Sequence, residues 1–546
     1  MIGTFAFLLL ILGASTFLGG VIGRVVPLPE GHGERAIALT AGLGASALLL
    51  AAFAAAGRLS WGFVVLGALA VPGLVLFFRR RQRTQHAPIE KAGRSFTTLA
   101  STAVVGLAAL SALAPVTDPD SLAYPLPIAR RLAQGDAWRF WPELWMSAFP
   151  LSHEMLLSLA VRLGATSLGL LAVFELALCA FLLDSLARRA GLDDRARGIA
   201  VLVGLGCPVI AFLAPSAKED LLVCAAALAA AHALLALADG SSTAPAVGLF
   251  AGLAAGTKLS GIPIALAMLA AAAFVSRGPR ARSLAAAGGA ALAAGGIWYG
   301  ANVLRFGNPV PPYFSPPLPS FLSPLSTRVA LGALRWGEGR GLLDFLLAPV
   351  RMFVHADRFG SLGGLFNPLV FIGLATLVMP RTRRLRSLVV VAGGLYAAWF
   401  ATDQIARLLL PAALLLAVPA GMVLSRFEEL GRAAKAALAI LLAVSTGSVL
   451  LVSGTRVVHW VTSPSTFFER QTPNAGEIAW MNTHLDASRH RIATTFKASD
   501  PLRIPWFDLE PVYQAVIPAE LLGTGRPLLD SLRGLGVTHV FIPRGS

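Results

Sequence analysis

Long uninterrupted apolar runs recur along this chain and limit what it can fold into. Many reach about 18 to 22 residues, enough to cross roughly 30 Å of hydrocarbon as a helix. Hydrophobic residues make up 56% of the 546, and charged residues only 14%. That is more apolar surface than a water-soluble domain can hide. In lipid every backbone polar group needs an internal partner, so spanning segments are helices or closed barrels. These runs are continuous rather than alternating, which selects helices. The expected fold is an all-α polytopic membrane protein with about 12–14 transmembrane helices and a small C-terminal extracytoplasmic α/β domain.

Spans are expected near 3–23, 36–56, 60–78, 96–116, 167–187, 198–215, 220–238, 245–257, 259–275, 284–303, 363–380, 387–402, 405–425 and 436–453. The run 245–257 is short and reads as a half-helix. The first run lacks a basic segment before it, so it reads as a membrane helix rather than a cleaved signal. The chain divides into N-terminal transmembrane helices (1–95), a main transmembrane domain (96–453) with large loops 117–166 and 305–362, and a tail (454–546).

The net charge of +16 is not a nucleic-acid signature. Arginines cluster in short loops: Arg79, Arg80, Arg81 and Arg83; Arg188, Arg189, Arg195 and Arg197; Arg277, Arg280 and Arg282; Arg381, Arg383, Arg384 and Arg386; Arg426, Arg432 and Lys435. All five fall on one side, which the positive-inside bias makes cytoplasmic. Both termini and the tail then lie outside, in a bacterial-type cytoplasmic (inner) membrane. Cys179, Cys207 and Cys224 sit in apolar runs without metal-ligand spacing and read as small core residues.

The outer loops carry structure. Ile128 to Leu132 and Phe149 to Leu163 show helical spacing and suit a position in the headgroup layer. The Pro-rich stretch 309–319 cannot be a helix. The tail turns polar, with Asn474, Asn482, His484, Asp486, Asp500 and Asp508. Helices are expected over 475–485 and 528–535, and strands over 491–495 and 538–542.

Thr117-Asp118-Pro119-Asp120 follows the fourth run directly. Acids at i and i+2 can face one way, to hold a divalent ion or to act as a base with a tuning partner. The same sequence also makes a good turn. Lys218-Glu219-Asp220 lies between two spans on the same side. Asp220 there reads as an N-cap, whereas Lys218 runs against the charge bias. Lys258 is a membrane-level lysine that either snorkels or binds phosphate. Gly252 and Gly256 fit small-xxx-small packing. Arg407 can pair with Asp403 at i+4 or meet an anionic head group. His153 and Glu154 form either a polar helix face or part of a site. Nothing fits the common protease, esterase, Walker or dinucleotide motifs.

In this order, the pieces resemble the GT-C glycosyltransferases: the aminoarabinose transferases, protein O-mannosyltransferases and bacterial proteins of glycosyltransferase family 39 type. Their first outer loop opens on an acid followed four residues later by an aromatic, like Asp120 and Tyr124. Lys218 to Leu222 resembles their second acidic turn. Gly252 to Lys258 resembles their Gly-x-x-x-Gly-x-x-Lys element, and Gln404 to Pro411 their late Gln-x-x-Arg element. The chain departs from the pattern at Pro125, where many relatives have His, at Leu408, where Tyr is usual, and in its three preceding spans. The resemblance covers about residues 96–425.

It implies transfer of a sugar from a polyprenyl-phosphate donor, at the outer face, to an envelope glycan, lipid or protein. Asp120, or else Asp118, would take the acceptor proton. Lys218, Lys258 or Arg407 would neutralise the lipid phosphate, with Tyr124, His153, Glu154 and Asp220 lining the substrate site. Asp118 and Asp120 are the candidate ligands of a divalent ion. Two rival readings are a transporter or lipid flippase, against which no internal repeat is visible, and a noncatalytic envelope-assembly protein.

Overall fold

The computed structural model describes residues 2–31, 33–85, 96–135, 137–333, 335–360, 367–379, 383–426, 431–495 and 502–542. Arg381, Asp500, the end of the 305–362 loop and the start of the expected 363–380 span lie outside them.

Every expected span is met by a helix. The first three are α1 (Ile2–Val25), α2 (Glu34–Ala55) and α3 (Leu59–Gln85), followed by α4 (Phe96–Ser111). The acidic loop then folds into α5 (Pro119–Ala123), α6 (Pro125–Gln134) and α7 (Ser152–Arg162). Next come α8 (Leu170–Arg189), α9 (Asp194–Leu205), α10 (Val209–Leu213), α11 (Asp220–Ala238), α12 (Ala244–Thr257), α13 (Gly261–Val275) and α14 (Arg280–Phe306). The second large loop holds α15 (Pro324–Ala333) and α16 (Leu342–Val354). The bundle closes with α17 (Arg383–Ala401), α18 (Leu410–Ser425) and α19 (Arg432–Thr462).

Among the described residues, eight helices are long and apolar enough to cross a bilayer, or nine if the bent pair Pro142–Ala148 and Ser152–Arg162 counts as one span. The other expected spans are shorter for visible reasons. The run 198–215 is broken between α9 and α10 at Pro208, which has no N–H to continue the ladder. Lys258 breaks the run between α12 and α13 by adopting an extended backbone. Asn367 caps the short 3₁₀ helix Pro368–Leu377, its side chain accepting from the Leu369 N–H at 3.1 Å.

The core is built on α11, of whose membrane window 94% is buried. Alanines dominate its surface, so α8, α12, α13 and α18 can approach closely. The expected small-residue seam is present on α12. A Cβ at Gly248 or Gly252 would collide with the α14 backbone at Ala287 or Ala291, and one at Gly295 would collide with Gly252.

Charge sorts to the two ends. At one end, Arg384 pairs with Asp239 at 2.8 Å and donates to the Arg189 carbonyl at 3.0 Å, while Arg189 donates to the Glu30 carbonyl at 2.7 Å. The acidic loop and the Lys218 turn meet at the other end.

The apolar faces of α6 and α7 pack against each other, and α7 also packs on α2 and α12, so both are covered by protein on that side. The tail boundary moves, because α19 continues to Thr462, beyond the expected break at 453. After it come α20 (Phe467–Gln471), α21 (Ala475–His484), β1 (Ile492–Thr494), β2 (Trp506–Asp508), α22 (Arg526–Gly534) and β3 (His539–Phe541). The strands form a parallel sheet in the order β2-β1-β3. Neither α20 nor β2 was expected from the sequence; for β2, Pro505 and the lack of alternation around it hide a three-residue strand.

If the α12–α14 seam holds the bundle, Gly252→Leu should overpack it and cost about 1–3 kcal/mol. Thermal unfolding in detergent should show a clear drop in midpoint. Gly288→Ala, where a Cβ meets open space, should show no loss.

Candidate active site

Asp118 is the N-cap of α5. Its Oδ2 accepts from the Ser121 N–H at 2.8 Å and from the Ser121 hydroxyl at 2.5 Å. The turn reading of the Asp-Pro-Asp sequence is therefore correct, and the turn also builds a site. Capping leaves Oδ1 of Asp118 directed at Lys218 Nζ, 2.8 Å away, and the same ammonium lies 3.1 Å from Asp120 Oδ2. Arg407 reaches the same Asp120 oxygen at 2.9 Å. Ser121 fixes the opposing turn by accepting from the Ala217 N–H at 3.1 Å.

A second knot adjoins the first. Lys258 Nζ lies 2.8 Å from Glu219 Oε1 and 3.0 Å from Asp220 Oδ1. Asp220 is thus not the N-cap of α11 but its first helical residue, and Glu219 holds the cap position. Lys258 does not snorkel, because two buried carboxylates hold it. Tyr124 sits beside this knot, its hydroxyl 3.5 Å from Glu219 Oε1. Burial, then the charges of Glu219 and Asp120, push that hydroxyl well above its ordinary range, so Tyr124 stays a neutral donor.

Burial alone would raise the Asp120 carboxyl. Lys218 and Arg407 more than offset it and hold Asp120 well below the usual carboxylate range. At rest, then, Asp120 is an ionised carboxylate whose basicity is suppressed by two cations. Arg407 does not pair with Asp403 as one reading expected. Asp403 instead accepts from the Trp336 N–H at 3.3 Å, and burial pushes its carboxyl up to about 6.

Glu154 joins the edge of the site, lining a cavity of about 20 Å³ with Tyr124, Glu219 and Lys258. His153 points instead to Glu175 of α8, 3.0 Å away, with both side chains fully buried. Its Nδ1 contact is thus with an acid of a membrane helix and not with Asp120, Lys218, Lys258 or Arg407.

The cluster opens into a cavity of about 600 Å³. Asp118, Lys218, Arg407 and Arg456 line its polar part, and Phe212, Leu213, Leu451 and Val452 its apolar part. The Arg407 Nε is buried and has no hydrogen-bond partner among the described residues. The guanidinium therefore keeps donor capacity for a ligand oxygen.

Asp118 and Asp120 do not suit a divalent ion in this arrangement. The Lys218 ammonium lies between them, and no group of three His, Cys, Asp or Glu able to hold a metal occurs among the described residues. Like charge at that position would repel the ion.

Sequence reasoning missed three contributors. Arg456 of α19 braces the root of the acidic loop, donating to the Ser111 carbonyl at 3.3 Å, the Thr117 hydroxyl at 2.9 Å and the Pro115 carbonyl at 2.5 Å. The available signal was an arginine just beyond the last apolar run. Glu219 was seen only as part of its turn. Tyr513 lies in a tail segment docked on the bundle. Its carbonyl accepts from the Trp145 N–H at 3.2 Å, and the Trp145 indole donates to the Pro511 carbonyl at 3.0 Å.

A bundle of apolar helices with a charged cluster opening into a partly apolar cavity defines a polytopic helical membrane protein. The chain has the GT-C fold. It superposes on ArnT from Cupriavidus metallidurans in the apo state with a TM-score of 0.55 at 14% identity, covering 82% of this chain and 92% of that one. With the same protein bound to undecaprenyl phosphate the TM-score is 0.52 at 15% identity, covering 82% and 90%. The apo oligosaccharyltransferase of Archaeoglobus fulgidus aligns at 0.45 and 13% identity, covering 81% of this chain and 69% of that one. No family model matches the sequence, and no curated protein matches it.

The depressed Asp120 pKa has a direct test. A group held below its unfolded value adds stability above that value, about 3.9, and loses it as pH falls through the folded one. Asp120 should therefore remain ionised through pH 4. In Lys218→Met the infrared band of a protonated carboxyl should appear at higher pH than in wild type. Coincident titrations would show that Lys218 does not hold Asp120 ionised.

Proposed function

We propose that this chain is an integral-membrane glycosyltransferase that moves a sugar from a polyprenyl-phosphate donor to a cell-envelope acceptor. The reaction takes place at the outer face of the cytoplasmic membrane, with the tail on that side. The observation that carries this reading is the contact of Asp120 with Lys218 and Arg407, two cations that line a cavity also walled by apolar side chains. A prenyl phosphate has the same division. The ArnT structure with undecaprenyl phosphate supports that choice of lipid, and the gathering of arginines at the opposite end supports the orientation.

The chemistry follows from the contacts. The donor phosphate enters against Lys218 and the part of the Arg407 guanidinium that lines the cavity. Cations drawn toward phosphate stabilise Asp120⁻ less, so its basicity rises when the donor is in place. An acceptor hydroxyl then attacks the anomeric carbon. The bond from that carbon to the phosphate oxygen breaks, its electron pair leaves on the phosphate, and Asp120 takes the acceptor proton. Lys218 and Arg407 balance the phosphate charge in the transition state. Asp118 positions Lys218, and Lys258 with Glu219 and Asp220 keeps the adjoining turn in register. Glu154 and Tyr124 border the sugar.

Asp120→Asn keeps the side-chain shape and removes the base. Transfer of labelled sugar from a polyprenyl-phosphate pool by membranes should fall roughly 100-fold or more, while donor binding changes much less. Near wild-type transfer would end the role of Asp120.

Lys218→Met and Arg407→Met should each weaken binding of undecaprenyl phosphate, and treatment with EDTA should leave wild-type transfer unchanged. Unaltered lipid affinity in both variants would remove the phosphate site, and loss of transfer restored by a divalent ion would return a metal to Asp118 and Asp120.

A further inference from the structure

Charges do not balance where α7 of the outer loop meets α8 and the turn before α11. The acids of the two knots and of the adjoining α7–α8 contact are Asp118, Asp120, Glu154, Glu175, Glu219 and Asp220. Against them stand Lys218, Lys258, Arg407, His153 and, through Thr117 beside Asp118, Arg456. Even with His153 charged, the acids exceed the cations by one.

The surplus can be placed. Asp118 and Asp120 meet Lys218, Glu219 and Asp220 meet Lys258, and Glu175 meets His153. Glu154 is 2% exposed and makes no ion pair among the described residues. Its Oε2 has no hydrogen-bond partner there, and neither has Oε2 of Glu219, which lines the same cavity of about 20 Å³.

No other charge is positioned to relieve Glu154. To that cavity α6 brings only the Tyr124 hydroxyl, and the end of α12 brings Lys258, already held by two acids. Arg130 and Arg131 of α6 line a different cavity, and Arg162 of α7 donates to the Ala133 carbonyl at 3.5 Å. The charged residues of α1 and α2 are Arg24, Glu34 and Arg35. They lie at the helix ends opposite Thr4 and Ala54, which bond to Thr166 and Trp138 of the outer loop.

Ionised carboxylates only accept hydrogen bonds, and two of them on one small buried cavity repel each other. A single proton answers both faults. It removes the surplus charge and turns one acceptor into a donor for the other. The cavity has room for one water to carry that hydrogen bond. A metal ion is not an equal answer, because the Lys258 ammonium lines the same space. The proton belongs on Glu154 rather than on Glu219, since Lys258 lies 2.8 Å from Glu219 and favours its ionised form.

We propose that Glu154 is a proton-binding residue, a neutral acid at neutral pH that shares its proton with Glu219 across the small cavity and so positions the Glu219–Lys258 pair. Ionised, Glu154 would compete for Lys258 and loosen the turn that holds Lys218 against Asp118 and Asp120. Glu154 is thus a positioning residue. Its effect on transfer rests on the glycosyltransferase reading, whereas the bound proton does not.

Infrared spectra of the detergent-solubilised full chain test the proton. An ordinary glutamate titrates at about 4.3, so a carboxyl band present at pH about 7 reports a buried neutral acid. That band should be lost in Glu154→Gln and kept in Glu175→Gln. A group protonated in the folded chain and ionised in the unfolded one loses its stabilising effect as pH rises. The thermal midpoint of Glu154→Gln should therefore gain on wild type as pH rises, which also shows that the variant folds. Transfer by wild type should fall on the alkaline side together with the band, and in Glu154→Gln that fall should move to higher pH. The inference is overturned if wild type has no such band, if the band survives in a folded Glu154→Gln, or if it is lost in Glu175→Gln instead. An alkaline limb unmoved in Glu154→Gln would remove the positioning role. If the band behaves as expected but wild type transfers no sugar at any pH, the proton site stands and the glycosyltransferase reading fails.

Discussion

One ammonium group holds this site together. Lys218 Nζ lies within 3.1 Å of both acids of the Asp118–Asp120 pair, and so ties the loop after α4 to the turn before α11. Remove it, and two carboxylates face each other at the margin of a low-dielectric bundle, where like charges are costly. Arg407 and Lys258 extend the same alternation to α18 and α12. The knots are ion pairs of low to moderate exposure, so their contribution to stability is small or even unfavourable. What they provide is registration of helices that are far apart in sequence, together with a reserve of positive charge that a ligand can draw on.

Much of this could be read from the chain. The spans were legible because lipid forces apolar runs into helices, and their number was legible to within the short and broken ones. Asp118, Asp120, Lys218, Lys258 and Arg407 stood out because charge is rare there and each needs a reason. Their partners were not legible. Asp403 was the obvious neighbour of Arg407 by helical spacing, but no helix runs through 403–407, so i+4 proximity did not apply. His153 and Glu154 looked amphipathic because a sequence shows a helix's faces and not its neighbours. Burial of α7 by α2, α6 and α12 was not visible in its sequence. Glu175, an acid inside a span, was an overlooked signal, and its partner is His153.

The tail shows the same division. Two of its helices, α21 and α22, and two of its strands followed local pattern, whereas its docking did not. Trp145, Pro511 and Tyr513 meet through backbone carbonyls, and carbonyls leave no trace in side-chain identity. The tail thus forms part of the walls around the site.

Leu451 lines the large cavity and is nevertheless 70% exposed on the flank of α19. In a bilayer that flank would meet acyl chains, so the cavity would open sideways into the membrane. A donor arriving by that route diffuses in two dimensions. Its effective concentration is a mole fraction among lipids, not a molarity. Adding detergent at a fixed amount of donor would then slow the protein by surface dilution alone, and affinities from different micelles would agree only when expressed per lipid.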